Sequence, residues 1–206
     1  LIQAQINPHF LYNTLDAIVW LIETGKNEQA EEMVTSLSTY FRSFLSNGRD
    51  IVTMTQEEQH IRSYLEIQQV RYKDILDYDI QIDPATAGCL IPKMTLQPLV
   101  ENAIYHGIKP KRGKGTITVT GRLAGDTVTV RVADTGAGME RGELERLRFQ
   151  LENDEAKGFG LISAYKRLQL MYGRDCRFTI ESSPGTGTSI TITFPLRLEE
   201  SHENEP

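Results

Sequence analysis

Apolar residues in the first part of the chain recur at alternating spacings of three and four. Leu1, Ala4, Pro8, Leu11, Leu15, Ile18 and Ile22 form one stripe, the a and d positions of a heptad seam. Gly25, just after Thr24, is placed to stop that helix. A second stripe follows Asn27 and runs through Ala30, Met33, Leu37, Tyr40 and Phe44, with Val34 and Phe41 beside it. Two amphipathic helices joined by so short a turn predict an antiparallel hairpin. A hairpin of this length cannot bury both stripes by itself, so two chains are expected to pair as a homodimer with a four-helix bundle. Pro8 interrupts the first helix. It removes a backbone hydrogen bond and crowds the Ala4 carbonyl, at a cost of roughly 3 kcal/mol, which predicts a kink just before His9. His9 lies one position off the seam, and Asn13, one turn on, shares its outer face.

The pattern changes after Ser46-Asn47-Gly48-Arg49-Asp50, which reads as a domain boundary. Thr55-Gln56-Glu57-Glu58 fits a capping box opening a helix that runs to about Tyr72. Tyr78 to Ile82 alternates as a strand does. Leu96 to Gly107 is again helical, with Leu96, Leu99, Val100, Ala103 and Ile104 on one face and Asn102 and His106 on another. Two alternating strands, Thr116 to Arg122 and Thr127 to Val132, meet at Ala124-Gly125-Asp126 as a hairpin. Glu140 to Ala156 is charged and weakly periodic, which suggests a mobile segment. Lys157-Gly158-Phe159-Gly160 opens a helix with Leu161, Ala164, Leu168 and Met171 inward and Gly173 as its stop. Strands Arg177 to Glu181 and Ser189 to Phe194 close the chain around Ser183-Pro184-Gly185-Thr186-Gly187, and the acidic tail from Glu199 reads as disordered. Helices on one face of a largely antiparallel sheet make an α+β fold. The expected units are a helical hairpin over 1–50, a two-layer α/β sandwich over 51–198 and a tail over 199–206.

Composition narrows the function classes. The 206 residues are 39% hydrophobic and 24% charged, ordinary for a globular domain, and the formal net charge of −6 lacks the basic bias of a nucleic-acid footprint. No apolar run approaches the ~18 residues of a membrane span. The chain opens in helix register without an initiator methionine or signal peptide, and so reads as a piece of a longer protein. Cys89 and Cys176 are too few for a disulfide framework and suit a reducing compartment.

The motifs point further. Gln5-Ile6-Asn7-Pro8-His9-Phe10-Leu11-Tyr12-Asn13 resembles the phosphoacceptor motif of bacterial sensor histidine kinases of the Lyt/Yes type. Pro98-Leu99-Val100-Glu101-Asn102-Ala103-Ile104-Tyr105-His106-Gly107 resembles the N box of the ATPase superfamily that includes gyrase and the histidine kinases. Asp134-Thr135-Gly136-Ala137-Gly138-Met139 resembles its first glycine box, Gly158-Phe159-Gly160-Leu161 its second, and Gly185-Thr186-Gly187-Thr188 its closing turn. Each box alone is a weak signal; the four stand in the family's order and spacing.

The resemblance implies ATP and Mg2+ as cofactors and His9 as the phosphoacceptor, with Asn13 as an auxiliary. It implies Asn102 as the Mg2+ ligand, since that ion takes hard oxygen donors, and His106 and Lys109 near phosphates. Asp134 is expected on the adenine amine, because an ionised carboxylate only accepts hydrogen bonds. Gly136 and Gly138 give close backbone approach to the base, Gly158, Gly160 and Leu161 lie where a helix start meets phosphate, and Thr188 is expected near adenine. Where the family commonly has Asn the chain has Ser163, which puts a phosphate or lid contact in doubt, and Thr135 replaces another common Asn. Phe10 stands where other histidine kinases carry an acidic residue, which leaves Glu101 as the candidate base. The implied activity is autophosphorylation of His9 and transfer to an aspartate of a response regulator, in the cytoplasmic portion of an integral membrane protein. Another ATPase or a protein serine kinase of the superfamily, or a nucleotide-binding dimerisation module without kinase activity, is the alternative.

Overall fold

A computed structural model describes residues 8–45, 49–153 and 160–199. Helix α1 (Pro8–Glu23) and helix α2 (Asn27–Leu45) form the expected hairpin. Its turn closes through the Lys26 N–H on the Leu21 carbonyl at 2.8 Å, and Gly25 takes a φ of 74° there. From α2, Ala30, Met33, Leu37 and Tyr40 are buried, as their spacing predicts. The buried residues of α1 are Phe10, Thr14, Ile18 and Leu21. Of the predicted seam, Ile18 is buried and Leu11 partly so, while Leu15 and Ile22 are exposed, with Tyr12, Val19 and Trp20 beside them. Helix α1 is apolar on two faces, so periodicity alone leaves its inward face undecided. The kink that Pro8 predicts falls on residues outside those described, as does the tail beyond Glu199.

After the hairpin come strand β1 (Ile51–Thr53) and helix α3 (Met54–Arg71). The capping box at the start of α3 is built by Thr53 and Gln56, not by Thr55 and Glu58. The Thr53 side chain accepts the Gln56 N–H at 3.3 Å, and Gln56 Oε1 accepts the Thr53 N–H at 2.9 Å. Thr53 keeps the extended backbone of β1, so the helix begins as soon as that short strand ends. Thr55 Oγ1 instead donates to the Ala87 carbonyl at 3.1 Å, and Glu58 pairs with Arg62. Strand β2 (Leu76–Ile82), strand β3 (Leu90–Pro92), which pairs with β1, and helix α4 (Leu96–Asn102) follow. Helix α4 continues as a wider π-helical turn over Ala103–Ile108, closed by the Lys109 N–H on the Ile104 carbonyl at 2.9 Å.

Strands β4 (Gly115–Ala124) and β5 (Thr127–Asp134), helices α5 (Arg141–Asn153) and α6 (Leu161–Tyr172), and strands β6 (Arg177–Ser183) and β7 (Gly187–Pro195) complete the chain. The sheet has five strands in the order β2-β4-β5-β7-β6; β2 is parallel to β4 and the other pairs are antiparallel. Val119, Val128, Val130, Ile192 and Phe194 are fully buried on one face, under α3, α4 and α6, in two layers. The segment expected to be mobile holds helix α5, tied to the sheet edge by Arg148 Nη2 donating to the Ile180 carbonyl at 2.5 Å. Among the described residues no helix is long and apolar enough to cross a membrane.

Helix α3 joins the hairpin to the sheet domain. Ser36 on α2 donates to Glu66 at 2.7 Å, and Ser43 Oγ lies 2.7 Å from His60 Nδ1. His60 stacks on Tyr40 at 4.7 Å between centroids, and its Nε2 bonds Gln97 Oε1. Gln97 Nε2 in turn donates to the Tyr40 hydroxyl at 3.1 Å and to Glu101 at 2.8 Å. Phe10 lies 5.0 Å from Tyr40 and 5.2 Å from Tyr64, centroid to centroid.

Burial pulls the His60 imidazole down to about 4, against the Gln97 hydrogen bond. Above its ordinary 6.5 the ring is neutral whether the chain is folded or not. Below that, the unfolded chain binds a proton that folded His60 accepts only near pH 4. Folding therefore weakens as pH falls across that window, by roughly 3 kcal/mol at most. Urea unfolding at pH 7 and pH 5 should show this slope in the wild type and a flatter one in His60→Gln; equal slopes would remove His60 as its source.

Candidate active site

The C-terminal end of β5 and the N-terminal end of β7, the α4 helix with its wide turn, and the first turn of α6 enclose a cavity of about 540 Å³. Asn102, His106, Asp134, Gly138, Leu161 and Thr188, all singled out in the sequence, line it. Its apolar wall comes from Leu99, Val132, Met139, Leu147 and Ile190. Leu147 and its neighbour in the wall, Gln150, belong to α5. No sequence signal marked them, because the periodicity of α5 is weak and its contact with the cavity is tertiary.

Asp134 is 8% exposed at the end of β5. Burial pushes its carboxyl up, while the Gly136 and Thr188 backbone N–H groups and the Lys111 charge favour the ionised form. Asp134 Oδ1 accepts the Gly136 N–H at 2.8 Å. Thr188 stands opposite Asp134 in the β5–β7 register, and its hydroxyl lies 2.9 Å from Ser182 Oγ. The carboxylate is an acceptor-only group at an apolar cavity wall, suited to an exocyclic amine.

The first glycine box serves packing within the protein. A Cβ on Gly136 would overlap the backbone of Gly107, and one on Gly138 (φ 70°) would overlap the Ser183 carbonyl. Both glycines thus allow backbone segments to approach closely, and Gly138 also lines the cavity. Gly107 has the matching constraint, since its Cβ would run into the Asp134 carboxylate. The Ala137 N–H donates to the Gly107 carbonyl at 2.9 Å, and the Gly185 N–H to the Ala137 carbonyl at 2.6 Å. N box, first glycine box and closing turn are thus held in direct contact.

Gly160 precedes α6 with a φ of 126°, which only glycine adopts readily. The free amides of that twelve-residue helix begin at the cavity wall with Leu161 and Ile162. Gly158 lies outside the described residues, and Ser163 is exposed on α6. Lys109 is not among the cavity residues: its Nζ sits over the Tyr105 and Tyr72 rings, at 5.0 and 5.3 Å from their centroids. Glu101 also turns away from the cavity, toward Gln97. Burial pushes its carboxyl up, with only the Gln97 bond opposing, and it is close enough to Tyr40 and Tyr64 to raise both hydroxyls.

His9 lies exposed in the first turn of α1. Asn13 Nδ2 lies 3.0 Å from its Nδ1 and 3.1 Å from its Nε2, so the carboxamide sits over the ring edge and restrains it. The neighbouring Phe10 is buried against Tyr40 and Tyr64. A backbone anchored at Phe10 thus presents an imidazole to solvent.

Sequence and structure comparisons agree with this geometry. Residues 1–76 match the histidine kinase family model, and residues 91–198 match the model of histidine kinase-, DNA gyrase B- and HSP90-like ATPases. The chain is 39% identical over 198 residues to the sensor histidine kinase YesM of Bacillus subtilis, covering 96% of this chain and 33% of that protein. It is 33% identical over 202 residues to the sensor protein LytS of Staphylococcus saprophyticus, covering 97% and 34%. The chain thus spans about a third of the length of these relatives. The fold is similar to the histidine kinase ThkA in its complex with the response regulator TrrA, at a TM-score of 0.52 and 16% identity, covering 94% of this chain and 60% of that one. With the ATPase model matching over half of its length, the chain belongs to the histidine kinase-, DNA gyrase B- and HSP90-like ATPase family.

Proposed function

We propose that this chain is the catalytic core of a sensor histidine kinase that transfers the γ-phosphoryl group of ATP to His9. The observation that carries the reading is the joint occurrence of the Asp134 cavity and an exposed, restrained imidazole on a hairpin that packs on α3 of the same domain. The adenine end fits Asp134 and Thr188, against the apolar wall of Leu99, Val132 and Ile190. The phosphate end fits His106 and the first turn of α6. The Asn102 carboxamide oxygen would hold Mg2+, which supplies charge neutralisation on the phosphates. Lys109, engaged with two rings, is left out of this assignment.

In the proposed reaction an unprotonated ring nitrogen of His9 attacks the γ-phosphorus. The N–P bond forms as the bond to the β–γ bridging oxygen breaks, and ADP leaves. The proton on the other ring nitrogen is then lost to a base. Glu101 is the candidate: burial raises the pKa of its half-buried carboxyl, which lies beside the tyrosines against which Phe10 packs. Asn13 holds the ring. The phosphoryl group passes on to an aspartate of a response regulator, a reading that the relatives' names and the ThkA complex support. The parent protein is proposed to be membrane-integral, with this portion in the cytoplasm.

The outward face of α1 supports a homodimer. Tyr12, Leu15, Val19 and Ile22 recur at spacings of three and four and are 65%, 43%, 52% and 56% exposed. Burying a side chain of this size is worth about 1.5–3 kcal/mol, so four per chain leave a strong incentive to pair. Light scattering at tens of micromolar should give a dimer for the wild type and a monomer for Leu15→Glu/Ile22→Glu; a monomeric wild type would remove this part of the reading.

Incubation with γ-labelled ATP and Mg2+ should give acid-labile, alkali-stable label in the wild type and none in His9→Ala or Asn102→Ala. Label that survives His9→Ala would place the acceptor elsewhere and favour a serine kinase of the same superfamily.

A further inference from the structure

The loop into α4 holds a strained residue. Met94 has a φ of 62°, the one positive value at a non-glycine position among the described residues. Such a conformation persists only where its surroundings over-determine it. Two groups do so. Glu57 accepts the Met94 N–H at 2.6 Å, the Thr95 N–H at 2.9 Å and the Leu96 N–H at 3.0 Å. Arg167 Nη2 donates to the Met94 carbonyl at 2.6 Å.

Glu57 is 2% exposed. It lies in the first turn of α3 while its carboxylate binds the amides that open α4, so it stands at the positive ends of two helices. Burial pushes its carboxyl up; the three amides and the Arg167 charge oppose that. Arg167 belongs to α6, the helix whose first turn lines the cavity through Leu161 and Ile162. Helix α4 brings Asn102 to the same cavity. Both helices that reach the proposed phosphate end are therefore referenced to one carboxylate and the loop it holds. The adenine end is not: Asp134 and Thr188 sit on β5 and β7, paired with each other.

We propose that Glu57 is a positioning residue for the triphosphate: by capping α4 and meeting Arg167 of α6 at Met94, it sets Asn102 and the first turn of α6 at the distance that Mg·ATP requires. This rests on the reading of the cavity as an ATP site. Nothing in the sequence marks Glu57, because its partners lie 37 to 39 residues away.

The test compares two ligands. Titration of the whole chain with Mg·ATP, and with adenosine at millimolar concentration by NMR, reads the two ends separately. Glu57→Gln puts an amide beside the three donors it must accept, and each lost charge-assisted bond weakens the alignment. The expected result is a Kd for Mg·ATP raised about tenfold or more with the Kd for adenosine unchanged. Equal weakening of both ligands, or of neither, overturns the proposal, since a purely structural role would not separate them. If Glu57→Gln does not fold, Arg167→Met breaks the junction from the α6 side without uncapping α4, and the same split must appear there. A wild type that binds neither ligand would instead remove the ATP-site reading.

Discussion

The Asp134 carboxylate lies against the backbone of Gly107 with no room for a side chain between them. That contact joins the end of a central strand to the wide turn that follows α4, and the site depends on it. It fixes the α4 helix over the open end of the sheet, with Asn102 and His106 facing the cavity. It also explains why the N box, the first glycine box and the closing turn act as one unit. Gly107, Gly136 and Gly187 are each required by a neighbour's backbone or carboxylate, and Gly187 approaches Asp134 from β7. Close packing of this kind is intolerant of a single methyl group. The π-helical turn at Ala103–Ile108 belongs to the same construction, since such turns concentrate where a helix must adapt to a site.

The hairpin is not an appendage to this domain. Phe10 enters a cluster with Tyr40 and Tyr64, and His60, Gln97 and Ser43 continue the contact as a hydrogen-bonded chain from α2 through α3 to α4. The aromatic rings pack together at the junction, while the polar chain constrains which arrangement forms. The cluster leaves α1 with a second apolar face turned outward. A helix apolar on two faces is costly as an isolated element and sensible as the centre of a larger bundle.

Much of the fold was legible because its signals are local. Helix and strand positions follow from periodicity, and chain reversals from Gly25, Gly125 and Gly173. The cavity residues Asn102, His106, Asp134, Leu161 and Thr188 were legible because each belongs to a short contiguous motif. What escaped is non-local. The inward face of α1 depends on what α2 and α3 offer, and its sequence has apolar residues for either choice. The capping pair moved to Thr53 and Gln56 because β1, a strand of three residues, exists only through its pairing with β3. The Tyr72 and Tyr105 rings that engage the Lys109 ammonium stand far apart in the sequence and come together only in the folded chain.

The two ends of the cavity differ in how they are held, and the difference has a physical reason. Asp134 and Thr188 sit in the hydrogen-bond ladder of paired central strands, where movement of one residue disturbs its neighbours across the sheet. Asn102 and the first turn of α6 sit on helices connected through side chains, chiefly Glu57 and Arg167, and such contacts shift at lower cost than a strand ladder. In the proposed reaction the adenine end needs one geometry throughout, whereas the phosphate end would have to fit ATP, the transferring group and then ADP, with His9 carried by a separate hairpin. Rigid backbone at one end and side-chain linkage at the other match those unequal demands.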